Sequence, residues 1–226
     1  MTKPYFEDDY VTLYHGDCLE VTEWIKADVL VTDPPYGISW ESKITSYRKN
    51  SPKIQSVIDP IANDDNTQAR DLALSLWGER PAIVFGSWRM PRPELTRHRL
   101  IWHKKGQNPG PANLPFMTQD EEIYILGQGF LSTSPPMRSV IETNENRAVE
   151  VGKIGHPTPK PVGLMELLIG RCPPGVIADP FAGSGATLLA ARNLGRKAIG
   201  VELEAKYCEL IAKRLSQQVF SFEGLE

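Results

Sequence analysis

A carboxylate, two prolines and an aromatic stand in a row at Asp33-Pro34-Pro35-Tyr36. The Asp33 carboxylate and the Pro34 carbonyl are two hydrogen-bond acceptors. Proline at both Pro34 and Pro35 stiffens the turn that presents them. Two rigid acceptors suit the two hydrogens of an exocyclic amine on a nucleic-acid base. Such an amine is a poor nucleophile, because its lone pair is delocalised into the ring. Acceptors on its hydrogens draw the nitrogen towards tetrahedral geometry, so that it can attack an electrophilic carbon in a single displacement. Tyr36 adds a flat face on which a base taken out of the stack can rest. A strong base is unnecessary, since the alkylated ammonium loses its proton readily. The same four residues also make an ordinary proline turn after a strand, so their meaning depends on what shares the site.

A second constellation lies far downstream, at Asp179-Pro180-Phe181-Ala182-Gly183-Ser184-Gly185, followed by Thr187. Its glycines allow a tight turn and a close approach of backbone to ligand. The Lys-Ser/Thr of a phosphate-binding loop is missing, and the spacing does not fit the dinucleotide fingerprint. Roughly twenty residues on, Glu202 closes an apolar run and can accept hydrogen bonds from ribose hydroxyls. A nucleoside without phosphates fits both features.

The elements that must position these residues alternate between strand and helix. Tyr10–His15, Asp28–Thr32, Pro81–Gly86, Val176–Asp179 and Lys197–Glu202 read as strands. Their short apolar runs suit a parallel sheet covered on both faces. Leu19–Lys26, Thr67–Trp77, Pro161–Ile169, Thr187–Leu194 and Lys206–Gln217 have helical character, with Gly195 stopping the fourth. Arg99–His103 and Glu122–Leu126 suggest an antiparallel pair around a Gly/Pro-rich turn at 106–111. The pattern predicts a doubly wound α/β sheet with ligands at the carboxyl ends of its strands. Both constellations lie just beyond such ends, where one cleft can hold them together.

The chain has 226 residues, enough for one α/β domain over 1–226. Cys18, Cys172 and Cys208 are scattered and odd in number, which argues against a disulfide framework or a zinc site. No apolar stretch is long enough for a bilayer, so a cytoplasmic protein with no membrane partner is expected. The formal net charge is −3, so nucleic-acid contact must come from local clusters. Two clusters are present: Lys43, Arg48, Lys49 and Lys53, then Arg89, Arg92, Arg97, Arg99, Lys104 and Lys105. Trp40 and Trp88 could stack on bases, but both read more simply as partly buried core residues.

Taken together, these residues resemble the amino-methyltransferases of DNA, which make N6-methyladenine or N4-methylcytosine. The catalytic motif comes early and Phe181-Ala182-Gly183-Ser184-Gly185 late, similar to the circularly permuted β-class order. The resemblance implies S-adenosyl-L-methionine as cofactor and double-stranded DNA as partner. It also implies a seven-stranded, Rossmann-like methyltransferase sheet, mostly parallel with one antiparallel strand. Asp17 would contact the adenine of the cofactor, and Glu202 its ribose. Thr158, Pro159 and Lys160, in His156-Pro157-Thr158-Pro159-Lys160-Pro161, would face the methionine moiety. Asp179, Phe181, Ala182, Gly183, Ser184, Gly185 and Thr187 would form the cofactor loop.

Small target-recognition insertions are expected at 38–65 and 129–155. Both are modest, which implies a short target sequence or a homodimer whose second subunit helps to read it. Aspartate at position 33 is the usual choice of adenine enzymes in the resembling family, and serine is frequent in cytosine-N4 enzymes. Adenine is therefore the preferred base and cytosine N4 the alternative. A DNA-binding module of the same fold without activity is the third reading, and the intact acceptor set argues against it. Cytosine C5 chemistry would need a cysteine after a proline, whereas Cys172 follows Arg171.

Overall fold

The computed structural model describes residues 2–39, 61–105, 116, 118–133, 135–143 and 156–217. The turn at 106–111 and the basic residues Lys43, Arg48, Lys49 and Lys53, with Trp40, lie outside the described residues.

Among the described residues nine strands form one sheet: β1 Phe6–Glu7, β2 Val11–His15, β3 Val29–Thr32, β4 Ala82–Gly86, β5 Thr96–Lys104, β6 Asp120–Leu126, β7 Val140–Thr143, β8 Ile177–Asp179 and β9 Ala198–Glu202. Their order across the sheet is β1-β2-β9-β8-β3-β4-β6-β5-β7. All residues of β3, β4 and β8 are buried, as a strand covered on both faces requires. Helices α2 Val162–Ile169, α3 Ala186–Asn193 and α4 Ala205–Gln217 cover one face. Helix α1 Gln68–Trp77 and a 3-10 turn at Glu23–Lys26 cover the other. Alternate residues of each central strand feed the two cores. Val29 and Val31 go to one and Leu30 to the other, as do Ile83 and Phe85 against Ala82 and Val84. On the α1 side Trp24 and Trp77 stack with centroids 5.9 Å apart. No helix among the described residues is long and apolar enough to cross a membrane.

The observed sheet is mostly parallel, as expected, with two differences in detail. Nine strands replace seven, and two of them, β1 and β6, run against the rest. The inner seven, from β2 to β5, keep the expected pattern with β6 as the reversed strand. The additions are edges: β1 has two residues, and β7 has a polar, mostly exposed face. Strands that short or that wet carry almost no periodicity. Val140–Thr143 falls within the stretch expected as a recognition insertion, yet it pairs with β5. The helix expected over Leu19–Lys26 shortens to the 3-10 turn. There the Asp17 carbonyl takes the Glu20 and Val21 amides, and the Trp24 indole donates to the Cys18 carbonyl at 2.8 Å. Those ties and the nearby start of β3 leave no room for a regular helix.

Candidate active site

Strands β8 and β3 are neighbours, but the chain leaves them in opposite directions. From β8 it passes through α3 to β9, and from β3 through α1 to β4 on the other face. That divergence opens a crevice at the carboxyl ends, the usual ligand position in doubly wound sheets. The two sequence constellations meet across it. The Thr32 hydroxyl, ending β3, donates to Asp179 Oδ1, ending β8, at 2.7 Å, although 147 residues separate them. A cavity of about 370 Å³ runs along this edge, within the size range of small-molecule sites.

Asp33 to Tyr36 leave β3 and form one wall of the cavity. Asp33 Oδ2 lies 2.5 Å from Lys160 Nζ, and Asp33 Oδ1 lies 2.9 Å from the Tyr36 hydroxyl. Lys160 also pairs with Glu121 Oε2 at 3.2 Å, and the Tyr36 hydroxyl reaches the same oxygen at 2.9 Å. Lys104, from β5, closes on Glu121 Oε1. Two carboxylates and two ammonium groups thus alternate beside the cavity and balance in charge. The Lys160 ammonium sits 5.4 Å from the Tyr36 ring centroid and 5.1 Å from that of Phe85, an added attraction for the cation. Burial pushes the Asp33 carboxyl above its ordinary value, with Lys160 acting against it and Glu121 with it. Burial also acts on Glu121, but Lys160 and Lys104 outweigh it and hold that carboxyl below the usual range.

Across the crevice the glycine loop makes a second wall. Gly183 and Gly185 have φ of +52° and +79°, in the left-handed region. A β-carbon on Gly185 would stand 2.9 Å from Ile211 Cγ1. The loop is pinned from behind, because the Arg214 guanidinium donates to the Ser184 carbonyl. The Gly183 N–H donates to Glu202 Oε2 at 2.7 Å, and the Glu204 N–H to Glu202 Oε1 at 2.8 Å. Burial pushes the Glu202 carboxyl up to about 7, against the pull of those two amides. Asp179 is raised to about 6 by burial, although Thr187 and Thr32 hydrogen-bond to it. The Gly16 N–H donates to the Glu202 carbonyl at 3.0 Å, which brings Asp17 to the same cavity edge. The Glu202 and Asp17 carboxylates, the glycine loop and the apolar Phe181 and Leu203 that line this wall suit a nucleoside.

The expected site residues fall in two groups. Asp17, Asp33, Pro34, Pro35, Tyr36, Thr158, Lys160, Asp179, Phe181, Ala182, Gly183, Ser184, Thr187 and Glu202 all line the cavity. Pro159 and Gly185 do not, and Gly185 packs instead against Ile211. Lys160 lines it from the acidic wall: its ammonium sits on Asp33 rather than on the glycine loop. Thr158 is held by its N–H donating to His156 Nδ1 at 3.3 Å, and the His156 ring packs on Tyr207 at 4.6 Å. Glu121 and Tyr207 carry no expectation from the sequence, and Lys104 was expected only as part of a basic cluster. Glu121 lies in an acidic run, Asp120-Glu121-Glu122, with nothing local to single it out. The basic cluster divides. Lys104 belongs to the buried array, Arg99 pairs with Glu122 and Lys105 with Glu142, while Arg89, Arg92 and Arg97 are exposed. Trp88 departs from the core reading. It is 63% exposed at the cavity mouth with Arg89 beside its ring. Cys172 is buried, and burial pushes its thiol up to about 12, which removes it as a nucleophile.

Residues 136–214 match the family described as DNA methylase. Over the whole chain, the Type II methyltransferase M.ScaI of Streptomyces caespitosus is 25% identical, with 97% of this chain and 86% of that protein covered. Among solved structures, the PvuII cytosine-N4-specific DNA methyltransferase superposes with a TM-score of 0.65 at 17% identity, covering 100% of this chain and 91% of that one. The M1.HpyAVI–SAM complex superposes with a TM-score of 0.62 at 20% identity, covering 90% and 99%. At these identities the structural likenesses are likenesses of fold.

Proposed function

We propose that this chain, a DNA amino-methyltransferase that uses S-adenosylmethionine, methylates the N6 amine of adenine in double-stranded DNA. The observation that carries the reading is the shared cavity. An acceptor-bearing Asp-Pro-Pro-Tyr turn and a nucleoside-sized glycine cradle face each other, linked by the Thr32–Asp179 hydrogen bond. When bound, the cofactor would supply an electrophilic methyl group. Glu202 would accept hydrogen bonds from its ribose, Asp17 would hold its adenine, and Thr158 its methionine end. Asp33 and the Pro34 carbonyl take the two amine hydrogens, and the Tyr36 ring supports the base.

Asp33 is set into the cavity wall, so a base within a duplex would leave its stack to reach it. Trp88 and Arg89 stand at the mouth, suited to stacking on a neighbouring base and to pairing with phosphate. Its likeness to Type II methyltransferases supports a restriction–modification context. Aspartate at position 33 favours adenine. Cytosine N4 is the second reading, since the same two acceptors serve both amines and a cytosine-N4 enzyme shares the fold. Nucleoside analysis of duplex DNA after incubation with the protein and cofactor decides between them. N6-methyladenine is the expected product, and N4-methylcytosine without methyladenine refutes the adenine reading.

A further inference from the structure

Glu121 makes contacts that the proposed chemistry does not use. The Tyr36 hydroxyl stands 2.9 Å from both Asp33 Oδ1 and Glu121 Oε2. A hydroxyl carries one hydrogen, so it donates to one of these carboxylates at a time. Lys160 is shared in the same way, at 2.5 Å from Asp33 and 3.2 Å from Glu121. Every side chain that occupies Asp33 therefore has a second acceptor in Glu121. Glu121 is itself held by Lys104 on the neighbouring strand.

We propose that Glu121 is a positioning residue for methyl transfer, taking the Tyr36 hydroxyl hydrogen and part of the Lys160 charge so that Asp33 Oδ1 is open to the incoming amine. The proposal rests on the reading of Asp33 as the amine's acceptor. While Tyr36 donates to Asp33, it occupies a lone pair that the target amine needs. Swinging its hydrogen to Glu121 frees that lone pair and keeps the ring anchored at the same angle. Without Glu121, the hydrogen of Tyr36 stays on Asp33 and Lys160 leans wholly on it. Both changes weaken Asp33 as an acceptor.

Asp33 is faced by Tyr36 on its own loop, Glu121 on β6, Lys160 ahead of α2 and Asp179 at the end of β8, while Lys104 on β5 faces Glu121. Burial raises the Asp33 carboxyl, Lys160 lowers it and the Glu121 charge raises it again. Removing that charge lets Asp33 ionise at lower pH. The acid limb of the kcat profile then moves to lower pH even as its plateau falls, a pairing that simple loosening of the fold does not produce.

The test measures transfer of a labelled methyl group to duplex DNA, counting label in any base, so a cytosine product would refute the adenine reading and leave this comparison intact. Glu121→Leu should lower kcat about 10- to 100-fold, less than loss of a direct transition-state contact, with cofactor affinity within about twofold. Glu121→Gln keeps one acceptor oxygen and should lose less, with the acid limb shifted down. Adding Tyr36→Phe to Glu121→Leu removes the competing hydroxyl and should restore part of the lost kcat. Wild-type kcat in both Glu121 variants overturns the proposal. So does a double variant no faster than Glu121→Leu, or a collapse of cofactor affinity in Glu121→Gln. If Glu121→Leu does not fold, the Glu121→Gln profile decides alone, and an unmoved acid limb overturns the proposal.

Discussion

Glu202→Gln is the perturbation that separates the nucleoside role of Glu202 from its cost to the fold. The buried carboxyl titrates at about 7 against an ordinary 4.5, so near neutral pH it exchanges between neutral and charged forms. As a ribose acceptor it works as the carboxylate. Affinity for the nucleoside should then fall with acid, by about twofold at pH 7 and about tenfold at pH 6 relative to pH 8. The effect on folding has the opposite sign. A carboxyl raised in the folded state contributes most to stability below 4.5, and that contribution is lost as pH rises through about 7, with an upper limit of about 3 kcal/mol. Acid therefore stabilises the free protein through Glu202 while it weakens binding. The assay is calorimetric titration with methylthioadenosine from pH 8 to pH 6, beside thermal unfolding of the free protein. That thioether nucleoside keeps adenine and ribose but has no amino acid to titrate. Glu202→Gln should bind more weakly at pH 8 and show a flatter profile. Asp179, also raised, is unchanged in both proteins, so the difference between them belongs to Glu202. A wild-type affinity that does not change between pH 8 and pH 6, or a variant with the same slope, refutes the reasoning.

Asp33→Ala should reduce methyl transfer at least about 100-fold while leaving cofactor affinity within a few-fold. Lys160 keeps Glu121 as a partner, so the fold should survive, and equilibrium cofactor binding beside single-turnover transfer checks both halves. Gly185→Ala forces a side chain into the left-handed region against Ile211. It should destabilise the protein by about 1–3 kcal/mol, read as a fall in the unfolding midpoint together with weaker cofactor binding. Trp88→Ala should weaken DNA binding by about 5- to 150-fold, the range of one lost base stack, without changing cofactor affinity. Trp88→Phe should recover most of the loss in the same titration, and a DNA affinity unchanged in Trp88→Ala would remove Trp88 from the interface.

Local patterns carry the parts of this molecule whose causes are local. The mostly β-branched run Val29-Leu30-Val31-Thr32 reads as a strand buried on both faces, and it is one. Two prolines then end its ladder, so the position of Asp33 beyond a strand end is legible from a few residues. The glycine loop and Glu202 are legible for the same reason. Glu121 is not, because its role comes from β6 reversing beside β4 and from Lys160 arriving from a distant segment. Nothing near residue 121 encodes either event. Lys160 shows the same limit: the motif around it is visible, but the partner of its ammonium is set by tertiary packing. Trp88 was misleading for another reason. A tryptophan is a core residue by default, and only the path of the chain after β4 leaves this one at the cavity mouth.

The sheet order has a consequence for how the protein is made. Strands β8 and β9 occupy the slot between β2 and β3, yet among the described strands they are the last two to be translated. From residue 32 to residue 177 the nascent polypeptide carries two strands whose edges await partners not yet translated. At ordinary elongation rates that interval lasts on the order of ten seconds. Unpaired edges of this kind invite pairing with other chains, so the growing polypeptide is a natural client for holding chaperones. A product interrupted in that interval would also lack the glycine loop and Glu202, so it would be prone to aggregate while its nucleoside site was still unbuilt.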